Sequence, residues 1–232
     1  MQYKEDIDVD LVQSVGSDGA IVAAARVSTL GISSTPEDDE GLIRYLMRHR
    51  HGTPFEHNLM TFRIYAPIFV WREWHRHRIG FSYNEESARY KQLEPVFYIP
   101  NYHRPTLKIK GWVPGRPKFM NAGEYHMDCI REELKKAYAE EYDRYQRLMK
   151  MEIDPGLARD CLPVGIYSAC WVSCNARSLM NFLSLRTSDT TAKRVSYPLY
   201  EIELGALKCE DIFASLFPIT YKAFCDFGRE AP

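Results

Sequence analysis

Twenty residues, Trp71 to Tyr90 (WREWHRHRIGFSYNEESARY), bring together Arg72, Arg76, Arg78, Arg89, His75, His77, two tryptophans, two tyrosines and the polar run 82–87. Guanidinium forks pair bidentately with phosphate, and aromatic faces accept flat rings. This composition suits a ligand that is anionic at one end and planar at the other, such as a phosphorylated nucleotide. A plainer account carries comparable weight. Cations in the last turn of a helix begun at Pro67 and ended at Gly80 gain about 0.3–1 kcal/mol each from the helix dipole. Ser82-x-x-Glu85 also fits a capping box for a following short helix.

Two further clusters stand beside elements able to position them. Residues 37–51 read as a helix with a Ser/Thr cap, Pro36 in the first turn, acids at its start, and Leu42, Ile43, Leu46 and Met47 on one face. Arg48, His49, Arg50 and His51 close it, Gly52 stops it, and the polar loop Thr53-Pro54-Phe55-Glu56-His57 follows. Asn175 to Leu185 has helical spacing and places Arg177 and Asn181 four apart on one face. Between these clusters, Leu59 to Tyr65 alternates as a half-buried strand, with Met60, Phe62 and Ile64 inward. Five prolines between Pro95 and Pro117 suggest a surface loop or lid over residues 95–121. Ala122 to Met149 is the longest helix, with Glu132/Lys136 and Glu140/Arg144 as i,i+4 pairs and its tyrosines as packing or subunit contacts. Asp154-Pro155 caps a short helix carrying Arg159, and Val164 to Cys174 is a buried strand.

Three of these segments resemble the flavin-dependent thymidylate synthase family. Arg76-His77-Arg78 with Ser87 resembles the family's RHR, seven residues, then Ser, although eight residues intervene here. HGTPFEH resembles its H-E-T-P-F-E-H, with Gly52 in place of Glu. Leu162-Pro163, Tyr167 and the run NARSLMNFL from Asn175 complete a third match in register. After residue 187 the likeness weakens, since residues 188–196 read SDTTAKRVS where the family has a D-S-H-A-Q-W-E-I-like run.

The resemblance implies an α/β (α+β) fold, a central, mostly antiparallel sheet flanked by long helices. It implies a homotetramer that reductively methylates dUMP to dTMP with FAD as redox cofactor, methylenetetrahydrofolate as carbon donor and NADPH as reductant. By matched position, Ser28, His51, Thr53, Arg76, His77, Arg78, Asn84, Glu85, Asn175, Arg177 and Asn181 would touch FAD. Glu73, Arg76, Glu85, Glu86, Ser87, Ala88, Arg89, Arg159 and Arg186 would surround the nucleotide, with Arg186 as the catalytic group that stabilises charge on the uracil ring. Glu73 stands where the family more often has Gln. Its spacing to Arg76 suggests an ion pair; alternatively, it would accept a hydrogen bond from a cytosine amino group and select another pyrimidine nucleotide such as dCMP.

Composition narrows the competing chemistries. A length of 232 residues favours a single domain spanning 1–232. With 30 basic and 31 acidic residues the net charge is −1, so an RNA-binding module built on the Arg/Tyr/Trp clusters lacks the expected basic excess, and no nucleic acid or membrane partner is expected. Nothing approaches 18 consecutive apolar residues, and the charged start MQYKEDIDVD suits a cytoplasmic protein. The six cysteines lack a C-x-x-C pair and read as reduced, packed thiols, none a nucleophile. A zinc site from His49, His51, His57, His75 and His77 is disfavoured by the interleaved arginines, so no metal is expected. Dinucleotide and Walker glycine motifs are missing, so any dinucleotide sits in a non-Rossmann site.

Overall fold

The computed structural model describes residues 1–27 and 35–232. In chain order it holds β1 (Gln2–Lys4), β2 (Asp8–Val15), α1 (Asp18–Ala25), α2 (Pro36–Arg48), a 3₁₀ turn at Thr53–Glu56, β3 (Leu59–Pro67), α3 (Ile68–Trp74) and β4 (Phe81–Glu85). There follow β5 (Val96–Tyr98), β6 (Leu107–Lys108), β7 (Phe119–Met120), α4 (Glu124–Lys150), α5 (Pro155–Ala158), β8 (Tyr167–Cys174), α6 (Ala176–Arg186), α7 (Tyr200–Leu216) and α8 (Pro218–Asp226). Helices thus accompany an antiparallel sheet of strand order β2-β3-β8-β4, as the resemblance implies. No helix among the described residues is long and apolar enough to cross a membrane.

The chain divides into two compact units with interleaved segments. The first comprises Met1–Ile7, Tyr65–Trp74 and Glu85–Cys170. Here β1 pairs in parallel with β5, and Phe97, Ile99 and Ile166 share a core with Tyr138 of α4. Two tyrosines of α4 pack, Tyr138 stacking on Phe97 at 4.9 Å and Tyr145 fully buried, whereas Tyr125 at its start is exposed. On the outer face the expected Glu140/Arg144 pair is present at 3.9 Å, but further up the helix Lys135 pairs with Glu132 and Lys136 with Glu133. That is i,i+3 spacing, whereas Glu132/Lys136 was expected. The proline-rich region is not loop throughout, because β5 is buried and β6 pairs with β7 as a hairpin. Helix α3 is fixed by Trp71, whose indole N–H donates to the carbonyls of Ala66 and Ser168 at 3.2 and 3.1 Å.

The second unit comprises Asp8–Ile64, His75–Asn84 and Trp171–Pro232. Thr35 caps α2 in a full capping box with Asp38, and Ile43, Leu46 and Met47 are buried. Met60, Phe62 and Ile64 are buried as the alternation predicts, but so is Thr61, whose hydroxyl lies 2.8 Å from that of Ser173. Asp18 serves α8 from about two hundred residues away, accepting from the backbone N–H of Ile219 and Thr220 at 2.9 and 3.0 Å. Arg229 is buried and bidentate on Glu210 at 2.6 and 2.9 Å, and donates to Thr187 Oγ1 at 2.8 Å.

Two expectations are corrected. Ser82-x-x-Glu85 caps no helix, since Phe81–Glu85 is a strand. Helix α3 ends at Trp74, so the helical spacing that would pair Glu73 with Arg76 does not continue.

Candidate functional site

Within the second unit, a pocket of about 670 Å³ is lined by Glu56, Arg76, His77, Arg78, Ile79, Phe81, Arg177, Ser178 and Asn181. The loop after α3 reaches it through Gly80. Its φ of 69° is in the left-handed region, and a Cβ there would stand 2.1 Å from Ser178 Oγ. Only glycine lets this loop lie against the start of α6. Asn175 caps α6, its side chain accepting from Ser178 N–H at 2.8 Å.

Arg177 is aimed by three neighbours. Its Nη1 donates to Glu56 Oε1 and its Nε to the Pro232 oxygen, both at 2.6 Å. A Cβ on Gly52 would stand 2.4 Å from its Cζ, so the guanidinium occupies space that any other residue at position 52 would claim. Asn181 donates to the Arg177 carbonyl at 3.2 Å. Arg76 and Arg78 have no ion-pair partner among the described residues.

His77 links this pocket to Arg186. Its Nε2 accepts from Arg186 Nε at 2.9 Å, its carbonyl accepts from Tyr83 OH at 2.7 Å, and its ring meets Phe182 edge-on at 4.9 Å. Burial, assisted by the Arg186 charge, pulls the imidazole down from 6.5 to about 4. A neutral ring keeps the Nε2 lone pair that Arg186 needs.

Within the first unit, a pocket of about 520 Å³ collects Arg72, Arg159, Glu85, Glu86 and Asp160 beside apolar Ile68, Leu93 and Leu162. Glu86 is committed to Lys91 Nζ at 2.5 Å and to Ala169 N–H at 2.7 Å. Ala88 lines the same wall, and Ser87 Oγ accepts from Arg89 Nε at 3.2 Å.

The expected residues are thus distributed. Arg76, His77, Arg78, Arg177 and Asn181 share the pocket of the second unit, while Glu85, Glu86, Ala88 and Arg159 share that of the first. His51 and Thr53 are exposed at the end of α2 and in the 3₁₀ turn; Asn84 is exposed on β4. Ser28 lies outside the described residues. Sequence reasoning counted Arg72 in the cation cluster without placing it at either ligand, and assigned no role to Glu56 or Asp160. Among the described residues no cluster of His, Cys, Asp and Glu is placed to hold a metal ion, and the six cysteines are free thiols.

Three guanidinium groups, an amide and an apolar wall in one pocket fit a ligand bearing phosphates and a flat ring. Comparison with known proteins gives the class. Residues 10–219 match the family model described as thymidylate synthase complementing protein. The chain belongs to the flavin-dependent thymidylate synthases, a family of methyltransferase enzymes that use a flavin. It is 49% identical over 235 residues to the flavin-dependent thymidylate synthase of Tropheryma whipplei (strain TW08/27), covering 99% of this chain and 97% of that protein. The Streptomyces avermitilis protein of the same name is 45% identical over 236 residues, covering 99% of this chain and 95% of that one. The crystal structure of the UMP/dUMP methylase PolB from Streptomyces cacaoi bound with 5-Br UMP superposes with a TM-score of 0.93 at 44% identity, covering 100% of this chain and 99% of that one.

Proposed function

We propose that this chain reductively methylates dUMP to dTMP, with FAD as redox cofactor, methylenetetrahydrofolate as carbon donor and NADPH as reductant, and that it works as a homotetramer. The observation that carries the reading is the second-unit pocket, where Arg76 and Arg78 have no ion-pair partner among the described residues and the one lining carboxylate, Glu56, is taken up by Arg177. In this reading those cations hold the flavin's phosphates, and the apolar wall at Ile79 and Phe81 accepts its ring. The bound flavin supplies the redox chemistry; the protein contributes orientation and field. Arg186, held at Nε by neutral His77, stabilises the negative charge that develops on the uracil ring.

The test is reconstitution. Purified protein should be yellow or become so with FAD and convert dUMP to dTMP, and Arg78→Ala should lose most of its flavin while remaining folded. A colourless protein that takes up no added FAD sinks the reading. A second reading, methylation of UMP as well, is favoured because PolB has been crystallised with both 5-Br UMP and 5-Br dUMP. UMP, dUMP and dCMP offered in parallel to the reconstituted enzyme decide the acceptor.

Gly52→Ala gives a sharper check of Arg177. The new methyl group meets the end of a flexible side chain, so folding should be nearly unaffected while the guanidinium is pushed off Glu56. Flavin affinity, titrated into apoprotein, should fall about tenfold, the usual effect of losing one charged hydrogen bond. Undiminished affinity would show that Arg177 does not hold the cofactor.

A further inference from the structure

We infer that Arg72 binds the phosphate of the nucleotide, acting with Arg159 in the pocket of the first unit; this rests on the proposed nucleotide-methylating function. Arg72 and Arg159 both line the pocket, and neither has a hydrogen-bonded or ion-pair partner for its side chain among the described residues. Most other arginines with a nearby carboxylate use it, as Arg131 uses Glu5 at 2.6 Å and Arg44 uses Asp226 at 2.5 Å. Two unpaired cations lining one cavity repel each other until an anion enters between them, and a phosphate dianion offers oxygens to both forks.

Position supports the same assignment. Trp71, buried and bonded to two carbonyls, fixes the last turn of α3, so the neighbouring Arg72 projects from a rigid anchor. Helix-dipole stabilisation explains a cation in that turn but gives no reason for it to line the same cavity as a second one. The pocket's carboxylates complete the argument. With Glu86 taken up by Lys91 and Ala169, Glu85 and Asp160 remain, and ionised carboxylates only accept hydrogen bonds. They repel a phosphate and attract sugar O–H or pyrimidine N–H groups. A cavity with two free arginines and two free carboxylates therefore matches a nucleoside monophosphate, anionic at one end and bearing donors at the other.

The experiment uses flavin-loaded enzyme and two probes, dUMP and deoxyuridine, titrated by flavin absorbance or calorimetry into wild type, Arg72→Met and Arg72→Lys. Expected are a 10- to 100-fold loss of dUMP affinity in Arg72→Met, partial recovery in Arg72→Lys, and unchanged weak binding of deoxyuridine in all three. Equal weakening of both probes would overturn the inference by showing that Arg72 shapes the pocket and does not meet the phosphate; unchanged dUMP binding would overturn it outright. A wild type that binds deoxyuridine as tightly as dUMP would instead refute the monophosphate reading of the pocket, a separate failure.

Discussion

Arg186→Ala should keep its flavin and its fold, still bind dUMP, and lose turnover by a factor on the order of 10² or more, the usual cost of deleting one group that stabilises developing charge. Two features locate the loss in chemistry. The residue stands at the end of α6, and its Nε donates to His77 Nε2 at 2.9 Å, which holds the guanidinium in place. Arg186→Lys should recover little, because an ammonium on a flexible stem cannot bond His77 and the ring together. Single-turnover kinetics with pre-bound dUMP is the measurement, and wild-type rates would remove Arg186 from the mechanism. The same contact sets a pH limit. At pH 7 the imidazole is neutral whether folded or unfolded. As pH falls through 6.5 the unfolded chain takes up a proton that folded His77 refuses until about pH 4. The stability this site contributes is therefore whole above pH 6.5 and declines toward pH 4, while the Arg186 contact persists in the folded protein until the pH nears 4.

Arg229→Ala should cost about 3–5 kcal/mol of folding stability, because it leaves the Glu210 carboxylate buried and uncompensated. Glu210 is 6% exposed and Arg229 5%; Tyr221 OH and Thr187 complete the network at 2.8 Å each. Replacing both charges, Arg229→Met with Glu210→Leu, should restore much of the loss, since apolar residues of similar volume carry no desolvation cost. Urea midpoints of the two variants compare them directly; a loss below about 1 kcal/mol in the single variant would mean that the pair behaves as a solvated surface bridge. Thr187 also donates to the Leu183 carbonyl at 2.8 Å, so the pair pins the helix end that carries Arg186.

Where local chemistry decides structure, the sequence was readable. The helix from Pro36 and the helix of Arg177 announce themselves by a Thr or Asn cap and a one-sided apolar stripe, and the long helix through Tyr138 and Tyr145 by its stripe alone. Elements decided by distant partners were not. Phe81–Glu85 carries a good capping box yet is a strand, because its pairing in the sheet outweighs a local preference. Asp8–Val15 has no buried side chain and hence no alternation to read. Helix α7 hides Glu201 and Glu210 among its buried residues, which spoils the amphipathic pattern until Arg229 is placed. Within the site, RHR and the Arg177/Asn181 face were legible as cation clusters. Which cavity each arginine lines was not, since Arg72 and Arg76 are four residues apart in sequence yet line different pockets.

The interleaving of the two units has a consequence for biosynthesis. The first unit draws on segments from Met1 to Cys170, and the second needs Trp171–Pro232 to cover residues made far earlier. While the ribosome is still working, α1 lacks α8, and Asp18 waits some two hundred residues for the backbone groups it will bond. The nascent chain therefore carries Ile21, Ile43 and Phe62 uncovered for about ten seconds or more at a synthesis rate of about 5–20 residues per second. Such high contact order makes folding slow and largely post-translational, and a chain interrupted before its last helices leaves apolar surface for chaperones and proteases to find.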